Sequence, residues 1–543
     1  MVSHKKSSHG EEGVLMNARA LFKYSLLCAL SFSQLSYGII TTLAKNDPVP
    51  PYTVDNPFAL LGTRRYEYLK GRDQSDPNDK HMSIEIMPFY QRSNRGANSC
   101  GTQTELGDIS GRWNMISLLP FNFQEPPGAG VYTNTNEDLP CGCEFPQILI
   151  DTRNDLIDEI SHLATETIAT PKELATVQGL LSLQQTNTAL QANFGFFSVP
   201  MIYKKSGIRF NAQFYIGKGI GGDFQTGFAE IFQCATYTDE TPNCKGSNNN
   251  PFNSETSGKS SDDPAWVTTA TWNEICKSVS RILMANLDNI LSSTQICQSN
   301  CTFREKSIED LNGELFWRYP LEINKDQSPA DYPKFLFIPF IAAGGTLAVS
   351  KCKDQCELLS LPFGNNGHNA FRVRGGFSFD FYETLQLNFE GGGTFFKSHK
   401  YCGYPVPNNS YQHPIYPFRT DILYCPGSNW HMVLGVYARN FFNQWSASFN
   451  YIYVSHQKDC IQLLCNNYAA GPESDPSTCR KNIYPFKPGV LECNSEWSVQ
   501  VFDTSLTYNI SPNFTLGVLI QIPVKRKNAY RSSTYMGSLY MSF

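Results

Sequence analysis

The sequence predicts an all-β fold, a transmembrane antiparallel β-barrel of about 12 strands. Two observations predict it. Apolar and polar residues alternate in segments of about ten residues, and the connections between these segments are short and long in turn. The composition agrees, because 37 Phe, 27 Tyr and 39 Gly stand among 543 residues, of which only 17% are charged. Aromatic residues favour half-buried strands and membrane interfaces.

The alternation is clear in the segment 208–216, where every second residue is apolar: Ile208, Phe210, Ala212, Phe214 and Ile216. The same pattern recurs in 315–323, 371–381, 385–395, 445–453 and 514–522. Counting back from the C-terminus places the strand centres near 86, 199, 212, 319, 342, 376, 390, 435, 450, 502, 518 and 538. A slip of the alternation predicts a β-bulge near 501–502. About 14 strands result if 109–118 and 224–232 are strands as well.

The connections between these segments differ in length. Short links are predicted at Lys204–Gly207, Tyr382–Thr384, Asn440–Asn443 and Ser511–Asn513. Long polar loops are predicted at about 93–193, 217–312, 351–369, 399–428 and 457–494. A soluble β-sandwich has turns at roughly even spacing, whereas short turns on one rim and long loops on the other are typical of transmembrane barrels. The segments Asp155–Ile168 and Pro264–Leu291 have helical spacing and predict short helices in the loops, as a cap above the barrel or a plug in its lumen.

The N-terminal region predicts export. Arg19 and Lys23 precede a short apolar run, and small residues stand before a cleavage position after Gly38. We therefore predict a signal peptide over 1–38, with Met16 as an alternative start. Residues 39–80 are Pro-rich and predict a periplasmic or lumenal segment, or a flexible linker, before a barrel over 81–543. No run reaches the roughly 18 apolar residues that a membrane helix needs.

Seventeen cysteines are present, and Cys28 lies in the predicted signal peptide. An even number of cysteines in an exported chain favours disulfide bonds in the predicted loops, although their pairing cannot be read from the sequence. The candidates are Cys352, Cys356, Cys402, Cys425, Cys460, Cys465, Cys479 and Cys493. A zinc site is less favoured, because the close cysteine pairs lack a second pair of ligands at the usual spacing. We expect neither a metal nor another cofactor.

The last nine residues resemble the insertion signal of bacterial outer-membrane proteins, which end in an aromatic residue after alternating apolar positions. The matching residues are Tyr535, Leu539, Met541 and Phe543. The resemblance implies a location in the outer membrane, contact with its lipid, and periplasmic chaperones and the barrel-assembly machinery as partners. The cysteine content is similar to that of the disulfide-linked envelope proteins of obligate intracellular bacteria, such as the chlamydial porins.

The polar faces of the predicted strands carry the candidate functional residues, which are Arg209, Arg318, Arg372, Arg374, Asp380 and Glu390. Facing an open lumen, these charges would create a transverse field that favours small polar solutes, whereas in a plugged barrel they would form structural salt bridges. The resulting hypothesis is a porin-like channel for passive passage of small solutes. The alternatives are a disulfide-stapled surface or adhesin-type barrel and a plugged barrel that carries hydrophobic solutes.

Other function classes are disfavoured. A net charge of −5 argues against nucleic acid as a partner, since binding it needs a basic face. The His two residues before Ser-Asn-Gly that marks outer-membrane phospholipases is missing, and Gly367-His368-Asn369 lacks that context. No paired acids with an Asp-His pair, as in outer-membrane proteases, are recognisable, so we do not expect an enzyme. Homo-oligomer formation stays open.

Overall fold

The fold is known from a computed structural model. It describes residues 82–109, 111–114, 196–217, 219–239, 302–323, 335–353, 360–381, 384–407, 419–442, 444–464, 486–511 and 513–543, together with some single positions between these ranges. The predicted signal peptide and the segment 39–80 lie outside the described residues.

Twelve strands form the wall of a barrel. In chain order they are β1 (Met82–Ala97), β2 (Met201–Gly217), β3 (Ile220–Ala235), β4 (Leu311–Arg318), β5 (Phe335–Leu347), β6 (Ala370–Phe381), β7 (Leu385–Phe396), β8 (Asn429–Phe442), β9 (Trp445–His456), β10 (Trp497–Ser511), β11 (Phe514–Lys527) and β12 (Ala529–Ser542).

Each strand pairs antiparallel with its neighbours in the chain, from β1–β2 through to β11–β12. β12 then pairs with β1, from Ser542 opposite Ser83 to Ala529 opposite Ala97. The ring is thereby closed without a free edge, as an up-and-down barrel. The predicted bulge is confirmed, because the β10–β11 register shifts between Gln500 and Val501.

The two rims of the barrel differ as predicted. One rim, which we call the short-link rim, holds Met82 and Phe543. Its short links are 218–219, 382–384, 443–444 and 512–513. The other, the long-loop rim, holds the connections 98–200, 236–310, 348–369, 397–428 and 457–496. Two connections depart from this rule: 319–334 is the longest on the short-link rim, and Asn528 alone joins β11 to β12 on the long-loop rim.

One predicted link is wrong. Lys204–Gly207 lies inside β2, a single strand of 17 residues, and the predicted strand centre near 199 therefore does not form a separate barrel strand. A Cβ at Gly207 would stand 2.0 Å from the Phe228 carbonyl oxygen, so glycine permits a close approach of β3 there rather than a turn. The missing strand is replaced by β3, which covers 224–232, and the long loop begins at 236 rather than 217.

The prediction of a strand over 109–118 is also wrong for the barrel. Among the described residues of this segment, 109 and 111–114, the extended ones are Trp113–Asn114, in a small sheet with Phe196–Ser198 and Thr238–Asp239 outside the wall. Three more short strands extend the barrel sheet: Gln103–Glu105, Thr302–Ile308 and Leu321–Glu322. The count is therefore twelve in the wall rather than fourteen.

Burial is reversed relative to a water-soluble protein. Apolar side chains face outward and are exposed, as with Ile208 at 44% and Val518 at 56%. Their polar neighbours on the same strands face the interior of the ring and are buried, as with Arg209 at 1% and Glu390 at 0%. Successive strand residues point to opposite faces, so the alternation in the sequence decides this directly. An apolar outside with a polar inside is the pattern of transmembrane barrels.

A module outside the barrel covers part of the long-loop rim. Three strands, His399–Pro405, Arg419–Cys425 and Cys460–Leu463, form a sheet beside the helix α1 (Pro488–Ser495). Its own apolar core includes Tyr401, Ile422 and Tyr424. The described positions at 151, 155 and 158 and between 277 and 286 are helical, in or beside the two predicted helical segments. No helix among the described residues has the length and hydropathy to cross a membrane.

The described cysteines are free thiols in this structure. They include five of the disulfide candidates: Cys352, Cys402, Cys425, Cys460 and Cys493. The other three candidates, Cys356, Cys465 and Cys479, lie outside the described residues. Not all cysteines lie in loops, since Cys234 belongs to β3 and Cys402, Cys425 and Cys460 belong to the outer sheet.

Candidate functional site

The candidate site is the polar interior of the barrel, where two charged clusters are built. The first, the Glu309 cluster, joins Glu309 to Lys205 and Arg209 of β2. The Glu309 carboxylate accepts hydrogen bonds from Arg209 Nε at 2.6 Å and Nη2 at 3.0 Å. It also forms a salt bridge with Lys205 Nζ at 2.5 Å. The Arg209 guanidinium also lies 4.0 Å above the ring of Phe89. Burying these charges requires such pairing, because desolvation of an unpaired ion costs several kcal/mol.

A β-bulge turns two consecutive acids, Glu309 and Asp310, inward. Ile308 lies opposite Phe228 and Asn312 opposite Gln225, so residues 309–311 face only two residues of β3. The inward positions are therefore odd up to Glu309 and even from Asp310 onward, and two consecutive acids point into the barrel. Both carboxylates are buried. The bulge thus supplies a pair of acids at a position where an unbroken strand would supply one.

The second cluster, the Arg374 cluster, lies on the adjoining wall. Arg374 of β6 reaches Glu314 of β4 with its Nε at 3.1 Å, and it reaches Glu390 of β7 with Nη1 at 3.2 Å. His431 of β8 contacts the same Glu390 carboxylate, with 3.1 Å between Nε2 and Oε1. Two carboxylates and one guanidinium give this cluster a formal charge of −1, whereas the Glu309 cluster carries +1.

Small residues make room for the Arg374 cluster. Arg374 reaches across β5 to Glu314, where β5 presents Ala342 and Gly344. Gly392 lies in register between Arg374 and His431, and a Cβ there would stand 2.7 Å from Arg374 Cβ and 2.6 Å from His431 Cε1. Gly392 therefore permits close packing of charged groups inside the barrel.

Elsewhere in the interior, inward polar side chains form hydrogen bonds with one another. Asp503 accepts from Gln521 Nε2 at 3.0 Å and from Asn450 Nδ2 at 3.3 Å. Arg439 Nη2 donates to Gln386 Oε1 at 2.5 Å. The interior is thus lined by an interlocked polar network over much of its described height.

All six predicted candidates lie in the wall strands, and the structure brings two of them together. Arg374 and Glu390 are ion-paired, and Arg209 belongs to the other cluster. Arg318 and Asp380 are buried near the short-link rim, and Arg372 lies near the long-loop rim beside a cavity. The interpretation of these charges as lining a solute path stays a prediction.

Sequence reasoning missed three central residues: Lys205, Glu309 and Glu314. Lys205 was assigned to a turn, and Glu309 to a loop. The signal for Glu309 was present as a change of parity, because Phe303, Glu305 and Ser307 are odd inward positions whereas Glu314, Phe316 and Arg318 are even. Such a parity change within one run predicts a bulge.

A cavity that is partly open to solvent lies near the long-loop rim, and we call it the outer cavity. Its lining combines amides, hydroxyls, charged groups and two phenyl rings, and includes Gln225, Thr226, Glu309, Asp310, Asn312, Thr346, Phe363, Asn365, Arg372, Thr394 and Phe396. Asp310 holds the connection 348–369 in place by accepting the Ser350 N–H at 3.0 Å and the Asn365 N–H.

The covering loop, residues 360–369, is fixed from above by the outer module. The Tyr401 hydroxyl donates to the Asn366 carbonyl oxygen at 2.6 Å and lies 2.8 Å from His368 Nε2. His368 Nδ1 lies 2.8 Å from the Lys397 carbonyl oxygen. Burial lowers the pKa of His368 to about 4, so its ring is neutral at physiological pH, and the neutral ring donates through Nδ1 to Lys397.

No family model matches the sequence, and no curated protein matches it. An outer membrane channel from Pseudomonas putida F1 is structurally similar, with 7% identity, a TM-score of 0.38, and coverage of 86% of this chain and 99% of that one. The toluene transporter of Ralstonia pickettii follows with 7% identity, a TM-score of 0.28, and coverage of 87% and 92%. A FadL homologue of Pseudomonas aeruginosa is 8% identical, with a TM-score of 0.25 and coverage of 86% of this chain and 90% of that one.

Proposed function

We propose that this protein is a channel of the bacterial outer membrane that passes small polar solutes. The observation that carries the proposal is the reversal of polarity across each wall strand. Exposed apolar side chains such as Phe210 and Leu434 form the outside, and buried charges such as Arg209 and Glu390 form the inside. Such a wall is stable when lipid meets the outside and water or polar solute meets the inside.

The distribution of charge supports selective passage. The Glu309 cluster and the Arg374 cluster carry opposite formal charges on neighbouring parts of the wall. The charges within each cluster are ion-paired, but the net formal charges of +1 and −1 remain and create a field across the interior, which favours polar solutes over apolar ones. The inner side chains of the described strands leave little surface accessible to water. Close packing of this kind supports a narrow, selective path rather than a wide pore.

The same geometry supports an orientation. In the proposed arrangement the short-link rim, with Phe543, faces the periplasm, and the long-loop rim faces the cell exterior. Tyr535, Leu539, Met541 and Phe543 share the outward face of β12, where an assembly factor would meet them. Export by a signal peptide, folding by the barrel-assembly machinery and contact with periplasmic chaperones belong to the proposal.

Single-channel recording on the full-length protein in planar bilayers tests the channel. We expect a small, steady conductance that heat-denatured protein lacks. The variant Glu390→Gln removes one inward carboxylate and should shift the reversal potential in a KCl gradient towards chloride preference. Glu496→Gln is the matched control, because the Glu496 side chain is 57% exposed and pairs with Lys527 on the surface, so this variant should leave the potential unchanged. Folded protein without conductance overturns the proposal.

A surface-binding role is the second candidate. The outer module favours it, because a folded sheet with its own apolar core stands on the long-loop rim, where a partner outside the cell would meet it. Cell or envelope binding by a protein that does not conduct would support this role. Lipid that co-purifies within a non-conducting barrel would instead support a carrier of hydrophobic solutes.

A further inference from the structure

The outer cavity offers an unusual density of groups that both donate and accept hydrogen bonds. Amides come from Gln225, Asn312 and Asn365, and hydroxyls come from Thr226, Thr346 and Thr394. Thr346 Oγ1 donates to Asn312 Oδ1 at 2.6 Å, which orders two of them. Amide and hydroxyl groups match the hydroxyls of a ligand, since each ligand hydroxyl also donates one bond and accepts others.

Thr394 stands out in this lining. Thr394 is only 2% exposed, and its hydroxyl has no hydrogen-bond partner among the residues that the structure describes. A buried hydroxyl left without a partner costs free energy, and a ligand hydroxyl in the cavity would remove that cost. Thr394 lies opposite Arg372 on β6 and Asn429 on β8, so it belongs to the ring of inward residues at the cavity floor.

The charges around the cavity balance. Together with the groups that pair with them, the charges near the cavity are four positive ones, from Lys205, Arg209, Arg372 and Arg374, and four negative ones, from Glu309, Asp310, Glu314 and Glu390. The carboxylates are already engaged: Glu309 by two cations, Asp310 by the backbone N–H groups of Ser350 and Asn365, and Glu314 and Glu390 by Arg374. Neither an anion nor a cation gains a net partner there, which favours a neutral ligand.

Two phenyl rings complete the lining. Phe363 comes from the covering loop and Phe396 from the end of β7. The electron-rich face of a phenyl ring attracts the C–H groups of a saturated ring, while the polar groups around it bind hydroxyls.

We propose that the outer cavity binds a neutral, hydroxyl-rich ring, a sugar unit, from the long-loop rim. The inference rests on the proposed channel function in naming the class of solute that enters the barrel. Hydroxyls of the ring bond to Thr394, Asn312 and Thr346, and its C–H face lies against Phe363.

Titration calorimetry and channel block on the full-length protein test this site. Glucose and sucrose are the neutral probes, and gluconate, glucosamine and toluene are the comparison ligands. We expect saturable binding of a neutral sugar and a concentration-dependent block of the current by the same sugar. Thr394→Val keeps the shape of the side chain and should weaken sugar binding about fivefold, since it removes one hydrogen bond.

Thr534→Val is the matched control. Thr534 of β12 is 1% exposed, its hydroxyl likewise has no partner among the described residues, and it does not line the cavity. This variant should bind sugar as the unaltered protein does. Phe363→Leu provides a second variant, which should also weaken binding, in case Thr394→Val does not fold.

The outcomes separate the two proposals. Conductance without sugar binding or block overturns the sugar site and leaves the channel standing. Sugar binding that depends on Thr394, in folded protein without conductance, overturns the channel and leaves the site standing. Preference for gluconate, glucosamine or toluene, or equal losses in Thr394→Val and Thr534→Val, overturns the sugar site.

Discussion

Glu309 and Arg209 form a two-point ion pair inside the barrel, with Nε–Oε2 at 2.6 Å and Nη2–Oε1 at 3.0 Å, although 100 residues separate them in the chain. Glu309 is the last odd inward position before the bulge at 309–310, so the pair forms inside the barrel. It connects β2 to the run that becomes β4, across β3, and holds the wall where the long loop 236–310 ends.

Removal of this carboxylate should strongly destabilise the barrel. Glu309→Gln leaves Lys205 and Arg209 buried without their counter-ion, and breaking a buried pair in this way costs about 3–5 kcal/mol. Urea unfolding of the protein in lipid vesicles measures the change. Glu496→Gln is the control, because Glu496 pairs with Lys527 at 3.3 Å on the surface, with side chains 57% and 43% exposed. An exposed pair contributes about 0–1 kcal/mol, so equal effects in both variants would contradict the prediction.

Gly392 should not tolerate a methyl group. Gly392→Ala places a Cβ 2.6 Å from His431 Cε1 and 2.7 Å from Arg374 Cβ, and both neighbours are held by Glu390. Overpacking of this kind typically costs about 1–3 kcal/mol. The control is Gly489→Ala in α1, where a Cβ meets no atom within 4 Å and a helix gains from alanine. A Gly392→Ala barrel as stable as the unaltered one in urea would refute the close packing.

Acid should loosen the covering loop. Burial lowers the pKa of His368 to about 4, from 6.5 in an unfolded chain, so the folded loop favours the neutral ring. Its stabilising contribution is complete above pH 6.5 and is lost as the pH falls from 6.5 to about 4, since only the opened state binds the proton. Hydrogen exchange of amides 360–368 at pH 7 and pH 4.5 measures the loss.

The control for this prediction is His368→Gln, which has no proton to bind at this position. Its loop exchange should change much less between the two pH values, even if the loop is looser at both. An unaltered protein whose exchange is the same at pH 7 and pH 4.5, after correction for intrinsic rates, would contradict the assignment.

Cys425 and Cys460 should be the first described cysteines to form a disulfide. They lie directly opposite each other on antiparallel strands of the outer sheet. Burial, and then the neighbouring Cys460, raise the pKa of the Cys425 thiol, so oxidation should be faster at pH 8.5 than at pH 7. Diamide would accept the two electrons and two protons that the thiols release.

Peptide mapping by mass spectrometry identifies the bond. Cys425→Ser should abolish the cross-linked peptide, whereas Cys402→Ser, in the same sheet, should leave it unchanged. A predominant cross-link between either cysteine and another partner would show that the outer sheet pairs differently in solution.

The sequence by itself determined which side chains face lipid and which face the interior. Along β2, Ile208 and Phe210 alternate with Arg209 and Asn211, and a period of two residues is a local property of an extended chain. The link at 512–513 and the strands on either side of it follow from the same local signals, because a short turn needs only nearby residues.

The tertiary structure alone decided what the interior does with its charges. Lys204–Gly207 resembles a turn, but β1 and β3 pair with it on both sides and keep it extended. The partners of Lys205 and Arg209, and of Arg374, come from distant segments whose register depends on closure of the whole ring. A one-residue bulge reverses which side a residue faces, and no local pattern around Lys205 or Arg209 encodes that reversal.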